Sequence, residues 1–202
     1  MSAPLTRRLT PGYALPHDLE KLKTHLKAED ATPAESAYIS DLAVTAGALW
    51  EAATGQPVMV AEYVTGFSGW HYSGRLHLLA PVQEVTKVQY FGEGDAYADL
   101  EPELYALSDL YPGLLVGPTS YSGLQPQLSY RTRINEGVLV YYTAGATSVD
   151  EVPPIVQQFI RLVVGHWYEN RQEVVLGASQ NGMVQIPMGA QALIDMEREP
   201  VL

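Results

Sequence analysis

The 202-residue chain contains no cysteine, so disulfides and thiolate metal sites are excluded, and the chain suits maturation in a reducing cytoplasm. Basic residues are scarce. Twelve Lys and Arg stand against 23 Asp and Glu, a formal net charge of −11, which opposes a lasting grip on phosphate backbones or anionic membrane surfaces. Between Val88 and Tyr130 there is no Lys or Arg, while Glu93, Asp95, Asp99, Glu101, Glu103 and Asp109 all fall there. One side or tip of that region is therefore expected to be distinctly negative. No apolar run approaches the roughly 18 residues of a membrane span. The start of the chain carries Arg7 and Arg8 with no apolar stretch behind them, so no secretory signal is expected. Internal repeats and low-complexity tracts are missing too.

Catalytic motifs are equally scarce. There is no phosphate-binding G-x-x-x-x-G-K-[ST] loop, no G-x-G-x-x-G and no H-E-x-x-H. "GFSG" around Ser68 is one residue short of a nucleophile elbow, and "GASQNG" from Gly177 is one too long. The histidines at 17, 25, 71, 77 and 166 include no pair spaced as two ligands on one helix face. His166 with Glu169 has i,i+3 spacing, but a carboxylate-bridged metal site needs a second copy and further Glu on facing helices. "GEGDAYADLEPE" does not fit a calcium loop, which needs acidic residues at its first, third and fifth places and Gly at its sixth. No metal, cofactor or enzymatic activity is expected. Two rival readings remain. One is a carbohydrate or small-ligand binding module built on Trp70, Tyr72 and neighbouring aromatics, and the other a metal-dependent hydrolase using His71, His77 and the acidic loop.

The 47% hydrophobic content is enough to close a real core. Helix signals occupy the two ends. "PHDLEKLKTHLK" puts Leu19, Leu22 and Leu26 on one stripe, with Asp18 and Glu20 near the positive end of the dipole. In "ATPAESAYISDLAVTAGALWEAATGQP", Thr32 caps, Pro33 fits the first helical position, Glu35 completes a capping box and Gly55 ends the helix. Its buried face is expected to be Tyr38, Ile39, Leu42, Ala46, Leu49, Trp50 and Ala53. From about Val58 to Thr143 the period becomes two, in "VMVAEYV", "RLHLL", "VTKVQYF", "LYALS" and "GVLVYYT", which suggests antiparallel hairpins. Helix returns at "VPPIVQQFIRLVVGHWYENRQEV", whose apolar arc, from Ile155 to Trp167, is much wider than one stripe. Gly165 hints at close backbone approach by a neighbour. A brief helix carrying Leu193, Ile194 and Met196 follows. The expected class is α+β, divided as 1–56 (helical), 57–146 (inserted antiparallel β region) and 147–202 (C-terminal helix and tail).

The order of these features, and above all "VPP" leading an apolar helix to "HWYENR" with "IPMGAQALI" close behind, resembles the head-to-tail connector (adaptor) proteins of tailed bacteriophages and gene transfer agents. The resemblance spans nearly the whole chain. It implies a helical connector core formed by the N- and C-terminal helices, and a non-enzymatic virion subunit assembled in the host cytoplasm. Such subunits form a ring, commonly of twelve copies, in the neck below the portal protein. They meet a tail-side stopper or tail terminator protein and extend the channel through which DNA passes without sequence-specific binding. It further implies a ring-core role for the helix from Pro154, with Phe159, Arg161, Gly165, Trp167, Tyr168, Glu169 and Arg171 as interface candidates. Ile186, Pro187, Leu193 and Ile194 are then the portal-side candidates.

Overall fold

The computed structural model describes residues 4–92, 94–118, 125–129, 136–170 and 186–197. The fold is α+β and divides into two compact units, one formed by residues 1–12 and 60–145, the other by residues 13–59 and 146–202.

The second unit is helical. Asp18 caps α1 (Leu19–Leu26) by accepting from the backbone N–H groups of Glu20 (2.9 Å) and Lys21 (3.1 Å), which satisfies two donors that the first turn leaves without partners. Thr32 does the same for α2 (Pro33–Thr54), accepting from Glu35 N–H at 3.3 Å, and Gly55 ends α2 at φ 74°. The long C-terminal helix α3 (Pro154–Glu169) starts on Pro153 and Pro154, and α4 (Met188–Glu197) follows. Helix α3 contacts α1, α2 and α4. Val156, Phe159, Ile160, Val163, Val164 and Trp167 are buried in one cluster with Leu22, Ile39, Trp50, Ala190 and Ile194. The breadth of the α3 arc is thus explained within a single chain, by three helices packing around it.

The glycine expectation needs correction. A Cβ at Gly165 would meet only His25 Nε2, at an ordinary 3.6 Å, whereas one at Gly47 in α2 would lie 2.9 Å from Pro16 Cγ. The close approach is at Gly47, which is buried. It was hidden in the small-residue run "AVTAGA", as was the burial of Ala43.

The first unit is built from β1 (Leu5–Arg8), β2 (Ala61–Phe67), β3 (Arg75–His77), β4 (Val82–Phe91), β5 (Tyr97–Asp99), β6 (Ala106–Leu107), β7 (Leu114–Val116) and β8 (Val138–Ala144). One antiparallel sheet runs β1-β2-β8-β4-β5 and a smaller one β3-β7-β6. In β8 the buried residues Val138, Val140, Tyr142 and Ala144 alternate with half-buried ones, as a strand with one covered face requires. These residues join Val88, Tyr63, Leu76 and Leu115 in a second core cluster. Inside it Tyr142 Oη lies 2.9 Å from Thr65 Oγ1, which in turn lies 2.8 Å from Thr6 Oγ1. Burial pushes the Tyr142 phenol above its ordinary range.

Three strands escaped the periodicity. β1 is "LTRR", a sequence that becomes a strand by pairing with β2, so the N-terminal residues belong with the sheet although the sequence grouped residues 1–56 as helical. β5 and β7 span three residues each, too few for a period to register. The expected strand "LYALS" shrinks to Ala106–Leu107 because Pro102–Leu104 form a 3-10 turn just before it.

Candidate functional site

The aromatic end of α3 decides between a site of chemistry and a packing surface. Phe159 is fully buried and meets Trp50 edge-on, with ring centroids 5.1 Å apart. Trp167 is 6% exposed, and its indole N–H has no hydrogen-bond partner among the described residues. Its ring belongs to the apolar cluster of its own chain. Tyr168 is half-buried and donates its hydroxyl to Glu35 Oε1 at 2.6 Å, tying the end of α3 to the first turn of α2. Sequence spacing gave no sign of that pair, because the partners lie 133 positions apart.

Arg161 is not a free surface cation. Its Nε–H donates to Nε2 of the buried His17 at 3.1 Å, and its Nη2 reaches Gln157 Oε1 at 3.5 Å. An acceptor role for Nε2 leaves the hydrogen on Nδ1, which donates to the Asp18 carbonyl at 3.0 Å. Burial lowers the His17 pKa from 6.5, and the Arg161 charge lowers it further against the opposing pull of the Asp18 backbone and carboxylate. His17 is therefore a neutral hinge pin between the start of α1 and the middle of α3.

Gly165 is half-buried and Glu169 exposed, and Arg171 lies outside the described residues. Among the tail candidates, Ile194 is buried in the helical core, with Ile186 and Leu193 packed partly against it, and Pro187 is half-buried. The outward apolar groups of α4 are instead Met188 and Met196, 90% and 74% exposed. Met196 was expected on the helix, but neither methionine was singled out as a contact residue.

The aromatic groups of the β region are mostly committed to packing. Trp70 donates its indole N–H to the Pro126 carbonyl at 3.1 Å and leans on Tyr90, while Tyr72 is exposed with the His71 ring tilted against it. His71 Nδ1 is held by Ser73, and His77 sits on β3. Among the described residues no three His, Asp or Glu side chains gather as metal ligands, and no helix is long and apolar enough to cross a membrane.

Neither a family model nor a curated protein matches the chain. Solved structures do. A chain from the neck of an empty gene transfer agent (GTA) particle, computed with C6 symmetry, is similar at a TM-score of 0.67 and 19% identity, with 98% of this chain and 97% of that chain covered. A chain from the virion of a native GTA particle gives 0.66 and 20% over the same shares. One from the neck of a native GTA particle, computed with C12 symmetry, gives 0.65 and 20%, again over 98% and 97%. At such identity the likeness establishes a common fold from end to end.

Proposed function

We propose that the chain is a structural subunit of the neck of a tailed, phage-like particle, a head-to-tail connector (adaptor) that joins copies of itself in a ring, commonly of twelve, below the portal protein. The observation that carries this reading is the end-to-end correspondence with chains of GTA necks and virions, 98% of one chain against 97% of the other. An unrelated domain sharing only a helical bundle or only a small sheet would align over one part.

The physical chemistry is consistent with such a role. The apolar arc of α3 is closed by the chain's own helices, so the helical unit carries its core with it before any partner arrives. Contacts between copies are then left to residues at the margin of α3, namely Gly165, Tyr168 and Glu169. On α4 the core residues Ala190 and Ile194 anchor the helix, while Met188 and Met196 face outward as flexible apolar contacts for the portal side. A net charge of −11 favours a channel wall that repels phosphate and lets a duplex slide. The tail-side neighbour is a stopper or tail terminator protein, and assembly takes place in the host cytoplasm.

The test is to label purified particles with an antibody fragment raised against this chain and image them in negative stain. Label at the junction of head and tail is the expected result. Particles that lack the protein while the lysate retains it would overturn the reading.

A further inference from the structure

An open cleft of about 450 Å³ lies between α1 and α3 in the helical unit, lined by Glu20, Lys21, Thr24 and His25 from one helix and Arg161 from the other. Its charge runs against that of the chain. Asp and Glu outnumber Lys and Arg by 23 to 12 overall, yet here Lys21 and Arg161 carry fixed positive charge and His25 adds an imidazole. The one carboxylate of the lining is already engaged, since Lys23 Nζ lies 2.9 Å from Glu20 Oε1. The adjacent Asp18 carboxylate caps α1 through the backbone N–H groups of Glu20 and Lys21. Helix spacing explains the grouping. Lys21, Thr24 and His25 stand at i, i+3 and i+4 and so share one face, while Leu22 and Leu26 turn toward the core.

Arg161 gives the cleft its meaning. Its guanidinium is half-buried, and the partners it reaches are neutral, His17 Nε2 at 3.1 Å and Gln157 Oε1 at 3.5 Å. A charge drawn partly out of water is normally balanced by one of opposite sign. Among the described residues no carboxylate does so, and Lys21 and His25, both exposed, also lack a side-chain partner there. Gly165 flanks the same cleft, because a Cβ at that position would meet His25 Nε2 at 3.6 Å. Packing among the described residues does not require a glycine at this point, although one costs roughly 1 kcal/mol relative to Ala inside a helix. The bare backbone leaves room beside the cations for a group from outside the chain.

We infer that the α1–α3 cleft is an anion site that takes a carboxylate side chain of a second copy of the chain, received by Arg161 and Lys21 with His25 beside it at the Gly165 end. The inference rests on the reading of the chain as a repeated ring subunit. Arg161 keeps donors for such a ligand, since its Nε and Nη2 are engaged and its Nη1 makes no hydrogen bond among the described residues. Bonds from a guanidinium to a carboxylate are charge-assisted and stronger than neutral ones. Lys21 adds an ammonium on a flexible stem at the mouth of the cleft. A second copy fits the charge. With a net charge of −11, carboxylates are what one copy offers most readily to a basic cleft on the next. Phosphate is the other anion such donors could hold, but the same net charge opposes the approach of a duplex. A basic cleft and an acidic side chain are unlike surfaces, so the contact is heterologous, and every copy has both halves satisfied once the copies close into a ring.

The test is a zero-length carbodiimide crosslink, which joins an amine to a carboxylate only where the two already touch. An equal mixture of isotopically heavy and light full chain, concentrated until native mass spectrometry shows assemblies, is crosslinked and digested. The expected product joins Lys21 to an Asp or Glu with one half heavy and the other light, which also identifies the donor residue. Charge reversal supplies a second measure. Lys21→Glu should weaken self-association by about tenfold, because like charges at a contact repel, and a carboxylate suits the first turn of a helix, so the variant should fold. Lys27→Glu makes the same change of charge at an exposed lysine outside the cleft and should leave self-association nearly unchanged. Assemblies without a mixed heavy–light Lys21 link, or equal weakening by the two reversals, would overturn the carboxylate site and leave the ring subunit standing. Binding of a short DNA duplex that Lys21→Glu abolishes would overturn it in favour of phosphate. Absence of both assemblies and link would overturn the site and the ring together.

Discussion

Trp50 and Phe159 meet edge to face at an interplanar angle of 62°, one from α2 and one from α3, and both are fully buried. That contact joins the two helices that bear the greatest share of the helical core. Phe159→Ala should lower the unfolding free energy by roughly 3 to 5 kcal/mol, the usual scale for removing a buried aromatic, as measured by chemical denaturation. A stable variant that failed only in assembly would show instead that the ring faces a neighbouring copy.

Tyr168→Phe removes the 2.6 Å hydrogen bond to Glu35 and leaves the ring in place. The carboxylate remains half-exposed and able to recruit water, so the expected loss is about 1 to 2 kcal/mol, with helical content by circular dichroism unchanged. A loss near zero would assign the hydroxyl to a partner outside the chain.

How much of this was legible in advance differs by kind of signal. Helix ends were readable because capping is local: Asp18, Thr32, Pro33 and Gly55 act on residues a few positions away. The packing role of Trp167 was readable from its place on an apolar arc. The Tyr168–Glu35 and Arg161–His17 pairs were not, since each joins residues more than a hundred positions apart and polar residues on a helix carry no mark of their partner. Strand β1 was missed because "LTRR" has no alternation of its own and owes its conformation to β2. In β4 the register shift between Val82 and Glu84 broke the two-residue period, which concealed its first three residues, Val82–Glu84.

His17 gives the helical unit a pH dependence of definite sign. Its pKa in the folded chain is lowered from 6.5 by burial first, so below that value the unfolded state binds more protons and stability falls as the solution becomes more acidic. The contribution is complete above pH 6.5 and is lost as pH drops from there toward the lowered folded pKa. Protonation would also set the imidazolium against Arg161, with Lys21 adding repulsion and Asp18 partly offsetting it. Comparing denaturation midpoints at pH 7.5 and at pH 5 should show a smaller acid-induced drop in His17→Ala than in the wild type, although the variant is less stable at neutral pH. Equal drops would remove His17 as the cause.

Two glycines on facing helices should respond to the same substitution with opposite signs. At Gly47 an added Cβ would stand 2.9 Å from Pro16 Cγ, a stiff ring that cannot rotate away, so the overlap should cost about 1 to 3 kcal/mol and outweigh the roughly 1 kcal/mol that Ala gains over Gly in a helix. At Gly165 the nearest atom is His25 Nε2 at 3.6 Å, an ordinary contact, so Gly165→Ala should stabilise the isolated chain by up to about 1 kcal/mol. Thermal unfolding of the two variants separates these outcomes. If Gly165→Ala stabilises the chain as expected and yet prevents incorporation into particles, the small residue is required by a neighbouring subunit. If it assembles normally, the margin of α3 at Gly165 does not lie in the ring contact.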